Sequence, residues 1–494
     1  MKFKGLFLCL SILSLFAATG CNRDDEDVLE AEGNMPYAQL TDSEKINKFI
    51  VDCTQDVYLW ESLTDWTKYN NYDTYRNHAD HYALFGGFLY ADDRWSELTN
   101  DIDSWKSSLQ AVSTTYGYTL IFVKFSNMDR YFAIVLYVCA GAPAEKAGMK
   151  RGDIIVGMNG GDITESNYTD LYYLPSISLQ MGYVDGNGFS LKPGSVSMVA
   201  VGMYENPVNT FRIIEKNGHR IGYLCYTAYV DASRDELLDV FARFKAGGVT
   251  DVVLDLRYNG GGHASTARFL SSILAPVAAV KNRDVYLTQK WNDFYSRDPS
   301  SGEIVDNSEY FIDTLSVNMN LNRLHVLVSE HTASASEATI IGLKPYMDVV
   351  LVGDTTHGKY YGGYVLSVDD YYYAFYYGDS RGYNKEHYLN ISNWGMYVMT
   401  YRYANRNNYP DFSGGLAPEP DMLMLPEDYF DLKPFGDETD PLLAKALERI
   451  TGEKYVPVRS SAAENMPPYT VFPEMGGGNA AKKNLIHSAP QPRP

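Results

Sequence analysis

Residues 252–262 read Val-Val-Leu-Asp-Leu-Arg-Tyr-Asn-Gly-Gly-Gly, and this stretch decides the fold. The run Val252 to Leu256 is apolar apart from Asp255, the pattern of a strand covered on both faces, as in α/β architectures. Three glycines directly after a buried strand let bare backbone come close to a ligand, which invites an anion or oxyanion site. The turn is not a P-loop, because no Gly-Lys-Ser/Thr closes it.

The neighbouring elements extend the same architecture. Upstream, Phe211 to Glu215 and Ile221 to Tyr226 flank Asn217-Gly218, a strong hairpin signal. Ser233 and Glu236 then box the start of an amphipathic helix that buries Leu237, Leu238, Val240, Phe241 and Phe244 and stops at Gly247-Gly248. Downstream, a strand at Leu324 to Val328, a polar turn, a helix from about Ser336 to Pro345 and a strand at Val349 to Val352 follow in order. This unit puts Ser334 at a helix N-terminus and Lys359 just past the next strand, both at the carboxyl edge of one sheet, where ligand and catalytic groups gather. Ser334 with Glu337 also fits a plain capping box, so local pattern alone leaves cap and nucleophile both open.

At 494 residues the chain is long enough for several domains. Its formal charge of −20 argues against nucleic acid and anionic lipid surfaces as partners. The 41 tyrosines suit either strand filling or an extracellular binding face. Lys2 and Lys4, the apolar run Leu6 to Phe16 and the small residues to Gly20 form a signal peptide, and the Ala18-Thr19-Gly20-Cys21 junction resembles a bacterial lipoprotein signal. That resemblance implies lipidation of Cys21 and a place in the bacterial cell envelope, on an outer-membrane lipoprotein facing the periplasm or the cell surface. The acidic Asp24 to Asp27 run is a solvated tether and also resembles a surface-export tag. Cys53, Cys139 and Cys225 are far apart and read as buried small hydrophobes. No zinc spacing appears; His78 and His81 are the nearest pair and lack a third ligand. No metal and no cofactor is expected.

The expected organisation is mixed α/β: leader 1–21, acidic linker 22–38, helical N-terminal domain 39–112, compact mixed domain 113–205, α/β core with a mixed sheet 206–456, and a disordered tail 457–494. In the N-terminal part, Thr41 and Glu44 form a capping box, and Trp60, Trp66, Trp95 and Trp105 are expected to fill a small helical core. Tyr360 to Tyr377 reads as a tyrosine-rich hairpin beside the site.

Residues 142–160, with Ala142-Pro143-Ala144, Gly152-Asp153-Ile154-Ile155 and Asn159-Gly160, resemble a PDZ domain of the bacterial protease type. That resemblance implies a peptide added as a strand, its carboxylate held at Gly117, Tyr118, Thr119 and Leu120, unless the domain is only a lid or spacer. Asp255 to Gly262, Ser334-Ala335-Ser336-Glu337 and Gly358-Lys359, in that order after the PDZ-like part and before Gly415 to Asp421, resemble the C-terminal processing (tail-specific) serine peptidases. The likeness covers about residues 113–425. It implies a Ser334–Lys359 dyad, with oxyanion donors at the backbone N–H of Ala335 and of Gly261 or Gly262, acting on a protein or peptide substrate. The membrane would be met only through the anchor on Cys21. One departure stands out: family members often carry Gln or Glu four residues after the lysine, and here that position is Gly363. Another group, such as His263, His331 or His357, must then orient Lys359, or activity is reduced. Two rivals remain, an inactive peptidase-fold lipoprotein that binds peptides or glycans and a carbohydrate-binding surface lipoprotein.

Overall fold

The structure is a computed structural model and describes residues 40–69, 71–185, 188–293, 296–297, 303–376, 385–408, 411–454, 467–472 and 485–487. The leader, Cys21 and the acidic tether lie outside the described residues.

The strand Asp251–Asp255 sits in the middle of a five-stranded sheet. It pairs in parallel with His219–Tyr226 on one side and Arg323–Val328 on the other. Asp348–Gly353 continues the parallel run, and Val208–Lys216 closes the other edge antiparallel, so the sheet is mixed as expected. The hairpin turns at Asn217 and Gly218, both at positive φ (46° and 79°), as a tight primed turn requires.

Alternation explains the continuous apolar run. Val252 and Leu254 join one core with Leu237, Phe241, Leu270 and Ile340, from helices on one face of the sheet. Val253 faces the opposite core with Leu327, Val352, Leu442 and Leu447, where helix Pro441–Thr451 covers the sheet. Each fully buried aliphatic side chain contributes roughly 1.5–3 kcal/mol, so both layers hold the central strand in register. The helix Arg234–Ala246 buries the predicted face and ends at Gly247. Its capping box is absent, because the Ser233 hydroxyl bonds Tyr226 Oη and the Val230 carbonyl instead.

A buried ionic cluster clamps the carboxyl end of the central strand. Arg257 donates to both oxygens of Asp255 and to both of Asp440, the N-cap of helix Pro441–Thr451. Arg151, from the 113–205 region, reaches Asp440 at 3.6 Å and Tyr258 Oη at 2.8 Å. The Asp-Leu-Arg part of the motif therefore ties the sheet, helix Pro441–Thr451 and the 113–205 region together.

The sheet of that region runs 469–472, 118–125, 132–138, 154–158, 176–185, 188–199. The outermost of these strands, Tyr469–Phe472, comes from the far end of the chain. Another late strand, Leu485–His487, lies in a second sheet of order 262–263, 485–487, 361–367, 395–404, 285–291, 308–310. The expected disordered tail, 457–494, is thus corrected over these two stretches, where backbone pairing with distant strands replaces local periodicity; its residues 457–466, 473–484 and 488–494 lie outside the described residues.

Two more expectations change. Tyr361–Ser367 is a strand, but Val368–Tyr376 is a helix, not the second arm of a hairpin. Ser367 Oγ accepts from the Asp370 N–H while Asp370 Oδ2 accepts from the Ser367 N–H, a reciprocal cap that starts the helix. Helix Asp42–Val57 has its Thr41–Glu44 box, yet its Phe49, Ile50 and Val57 pack on Leu366, Tyr371, Met396 and Val398. The four tryptophans do not make a separate helical core either. Trp60 and Trp95 meet Tyr361, and Trp105 lies on Tyr397.

Candidate active site

Three of the four parallel strands end at one place. Asp251–Asp255 runs into the glycine turn, Arg323–Val328 into the turn before Ser334, and Asp348–Gly353 into the loop that carries Lys359. Helix Ala335–Leu343 begins one residue after Ser334. Ser334 and Lys359 are both fully buried.

Ser334 has φ 60° and ψ −109°, a conformation costly for a residue with a Cβ, on the order of 1–3 kcal/mol. Its hydroxyl does not serve as the helix cap: Oγ has no hydrogen-bond partner among the described residues. Ser336, the other serine of the motif, donates to the Asn259 carbonyl at 2.9 Å. The strained, unengaged serine is therefore Ser334, the one that the resemblance pairs with Lys359.

Glu337 takes over the junction. Its Oε2 accepts from the N–H of Ser334 at 2.7 Å and of Lys359 at 3.0 Å. Its Oε1 accepts from Thr356 Oγ1 at 2.6 Å and from the Gly358 N–H at 2.7 Å. Burial pushes this carboxyl up to about 7, against the pull of those donors. A second tie comes from Tyr403, whose hydroxyl lies 3.0 Å from the Ser334 carbonyl oxygen and 2.7 Å from that of Lys359. Two residues that are 25 apart in sequence are thus held backbone to backbone by one carboxylate and one phenol.

The Lys359 amine points into an aromatic corner. Nζ lies 3.4 Å from Tyr397 Oη, 5.1 Å from the Tyr397 ring centre and 5.8 Å from that of Trp95. The amine and the Ser334 hydroxyl are not hydrogen-bonded to each other in this structure. Gly363 has a steric reason: a Cβ there would lie 1.9 Å from the Val398 carbonyl oxygen, so the strand leaves no room for a Gln or Glu.

None of the three histidines hydrogen-bonds Ser334 Oγ. His263 has its Nε2 3.0 Å from Gln110 Nε2 and its Nδ1 3.9 Å from Asp231, and burial lowers its pKa. His331 and His357 are engaged through their backbone N–H, with Ser329 Oγ and the Thr332 carbonyl.

Gly261 packs directly on the serine: a Cβ there would come within 2.9 Å of Ser334 Cβ and 3.1 Å of the Ala335 nitrogen. Its N–H donates to Asn259 Oδ1 at 2.9 Å. Gly262, at φ 134°, lies next along the chain against the Tyr229 backbone. The positions that the PDZ resemblance implies are apart from this cluster. Gly117 has φ 77° and Tyr118, Thr119 and Leu120 are buried at the start of strand Tyr118–Phe125; the Gly117 N–H bonds Thr115 Oγ1. Cys53, Cys139 and Cys225 are buried free thiols, as their spacing suggested. His78 and His81 bond the Asp80 carbonyl and Asn47.

Sequence reasoning missed Tyr397, Tyr403 and Trp95. Glu337 was visible as half of a capping box and as the last residue of the Ser-Ala-Ser-Glu motif, with no role assigned to it.

The mixed sheet, with a strained serine and a buried lysine at its carboxyl edge, is similar in fold to solved S41 proteases. Residues 220–418 match the model of Peptidase family S41. A solved structure, a putative S41 protease from Bacteroides fragilis NCTC 9343, is 26% identical, with 82% of this chain and 97% of that one covered and a TM-score of 0.62. Carboxy-terminal processing protease CtpA of Bacillus subtilis (strain 168) is 26% identical over 227 residues, 44% of this chain and 42% of that protein. CtpB of the same organism is 25% identical over 264 residues, 52% of this chain and 48% of that protein. The chain thus spans about half the length of these curated relatives.

Proposed function

We propose that the chain is a serine endopeptidase that cleaves unfolded or C-terminally recognised protein substrates with Ser334 as nucleophile and Lys359 as general base. The observation that carries this reading is the buried, strained Ser334 whose hydroxyl is unengaged while its backbone is tied to that of Lys359. A serine alcohol needs a base, and a lysine stripped of water is a suitable one.

In the proposed cycle the Lys359 side chain swings from Tyr397 toward Ser334 as substrate enters. Nζ takes the hydroxyl proton while Oγ bonds to the scissile carbonyl carbon, and the carbonyl π pair moves to oxygen. That oxyanion meets the N–H of Ala335 at the helix N-terminus and the N–H of Gly262, Gly261 being committed to Asn259. On collapse the C–N bond breaks and the lysine ammonium returns its proton to the leaving amine. Water, activated by the same amine, then releases the acyl group. Tyr397 and Trp95 park the amine and do the positioning that Gly363 cannot.

The region 113–205 is read as the peptide-binding module, through the edge of strand Tyr118–Phe125. Cys21 is read as the lipid attachment point in the envelope, which labelled palmitate incorporation lost in Cys21→Ala would support.

Cleavage of casein by the purified protein tests the chemistry. Ser334→Ala and Lys359→Ala are expected to abolish it, and Tyr397→Phe to slow it only a few-fold, roughly the worth of one weak hydrogen bond. Equal cleavage by the wild type and both alanine variants would overturn the dyad.

A further inference from the structure

The two late strands sit where a peptide ligand would be expected. Tyr469–Phe472 pairs antiparallel with Tyr118–Phe125, from Tyr469 opposite Phe125 to Phe472 opposite Phe122. It therefore runs toward Gly117, the direction of an added peptide strand at that edge. Its side chains are seated: Phe472 meets Tyr131 at 5.2 Å, and Tyr469 meets Phe430 at 4.9 Å.

Further on, Leu485–His487 enters between Gly262–His263 and Tyr361–Ser367, parallel to both. Leu485 is opposite Gly262 and Ile486 is opposite both His263 and Gly363. One wall of this slot is the glycine loop against Ser334, and the other is the strand that follows Lys359. Without the insert, Tyr361–Ser367 would present an open edge there, and Gly262–His263 would lose its partner in that sheet. Open edges are templates for extended chains.

We propose that these two edges are stations of one peptide-binding track and that the chain's own strands 469–472 and 485–487 are its resident occupants, competing in cis with substrate. A tethered segment competes at an effective concentration on the order of millimolar, so a substrate at micromolar level meets a filled site until the strands are displaced. The substrate thus engages by backbone pairing at two separate edges, and an extended chain with a free stretch long enough to reach both is the class of ligand that displaces the two strands. The inference rests on the peptidase reading for its rate readout only.

Binding is measured on the full chain carrying Ser334→Ala, using a fluorescent synthetic peptide of residues 467–488 added in trans. Val471→Pro and Ile486→Pro each remove a donor from one late strand and disfavour its pairing. The double variant is expected to bind the peptide at least about tenfold more tightly than the Ser334→Ala chain alone, as removal of a cis competitor requires. With Ser334 restored, the double variant is expected to cleave casein faster than wild type at subsaturating substrate, with each single variant in between. Unchanged peptide binding in all variants, or weaker binding in the double variant at an unchanged melting temperature, would overturn the proposal. Casein left intact by every protein, with tighter peptide binding in the double variant, would sink the peptidase reading and leave the track standing.

Discussion

Glu337 and Asp440 are both buried carboxylates at the carboxyl side of the same sheet, yet their surroundings are opposite in kind. Asp440 lies against two guanidinium groups, Arg257 and Arg151, which hold its carboxyl below the ordinary range against the cost of burial. Glu337 accepts from a hydroxyl and three backbone N–H groups, and burial prevails, pushing it up to about 7. The difference separates scaffold from site. A charge met by fixed cations stays ionised at any working pH and locks three parts of the chain together. A charge met only by neutral dipoles stays poised near neutrality, beside the serine and the lysine whose backbones it joins.

The largest expected effect breaks the scaffold half of this contrast. Arg257→Met removes the cation shared by Asp255 and Asp440 and leaves two buried carboxylates short of a partner. Breaking such a pair costs about 3–5 kcal/mol, which denaturant unfolding would register as a large drop in midpoint. A loss under about 1 kcal/mol, the range of exposed pairs, would mean that the guanidinium does not hold the charge and that the contrast is false.

The second prediction sharpens the contrast through pH. Glu337 binds its proton more tightly in the native state than in the unfolded chain, so its contribution is fully present below its ordinary value of 4.5 and is lost as pH rises through about 7. One pKa unit is about 1.4 kcal/mol, so the loss is on the order of 3 kcal/mol. Asp440 has the opposite sign: its contribution is present above its ordinary value of 3.8 and is lost only as pH falls below that. Melting curves at a series of pH values should therefore show wild type losing more stability than Glu337→Gln between about pH 5 and about pH 8. Parallel curves for the two proteins would show that Glu337 does not titrate there.

How much of this was readable beforehand follows from distance along the chain. Ser334, Lys359 and the glycine turn stand in short motifs at strand ends, and the alternation that buries Val252 and Val253 on opposite faces is local as well. Tyr397 and Tyr403 reach the site only because strand Gly395–Ala404 pairs with Tyr361–Ser367 through a register shift at Gly362 and Gly363. No pattern in a tyrosine-rich strand marks which hydroxyl will face a lysine. Trp95 looked like filling for a helical core, but that segment packs on the sheet beside the site and sets the indole over Lys359. The two late strands were invisible for a related reason. They hold four and three residues, too short for periodicity, and they exist only through partners more than two hundred residues away for one and more than one hundred for the nearer partner of the other.

The smallest expected effect concerns the strain that the site stores and the scaffold does not. At φ 60° and ψ −109°, Ser334 occupies the mirror image of an extended conformation, which glycine adopts freely and a residue with a Cβ does not. Relief of that strain works against the greater freedom that glycine gains in the unfolded chain, so Ser334→Gly is expected to stabilise the fold by about 1 kcal/mol. Ser334→Ala keeps the Cβ and the strain, removes a hydroxyl that bonds nothing among the described residues, and should leave stability nearly unchanged. Both variants should be inactive. A hydroxyl acting as a helix cap predicts the reverse order, since losing the cap costs about 1 kcal/mol in alanine and only a few tenths in glycine. Equilibrium unfolding of the three proteins separates the accounts: a glycine variant above wild type fits a strained nucleophile, whereas both variants below it would return Ser334 to the role of an ordinary cap.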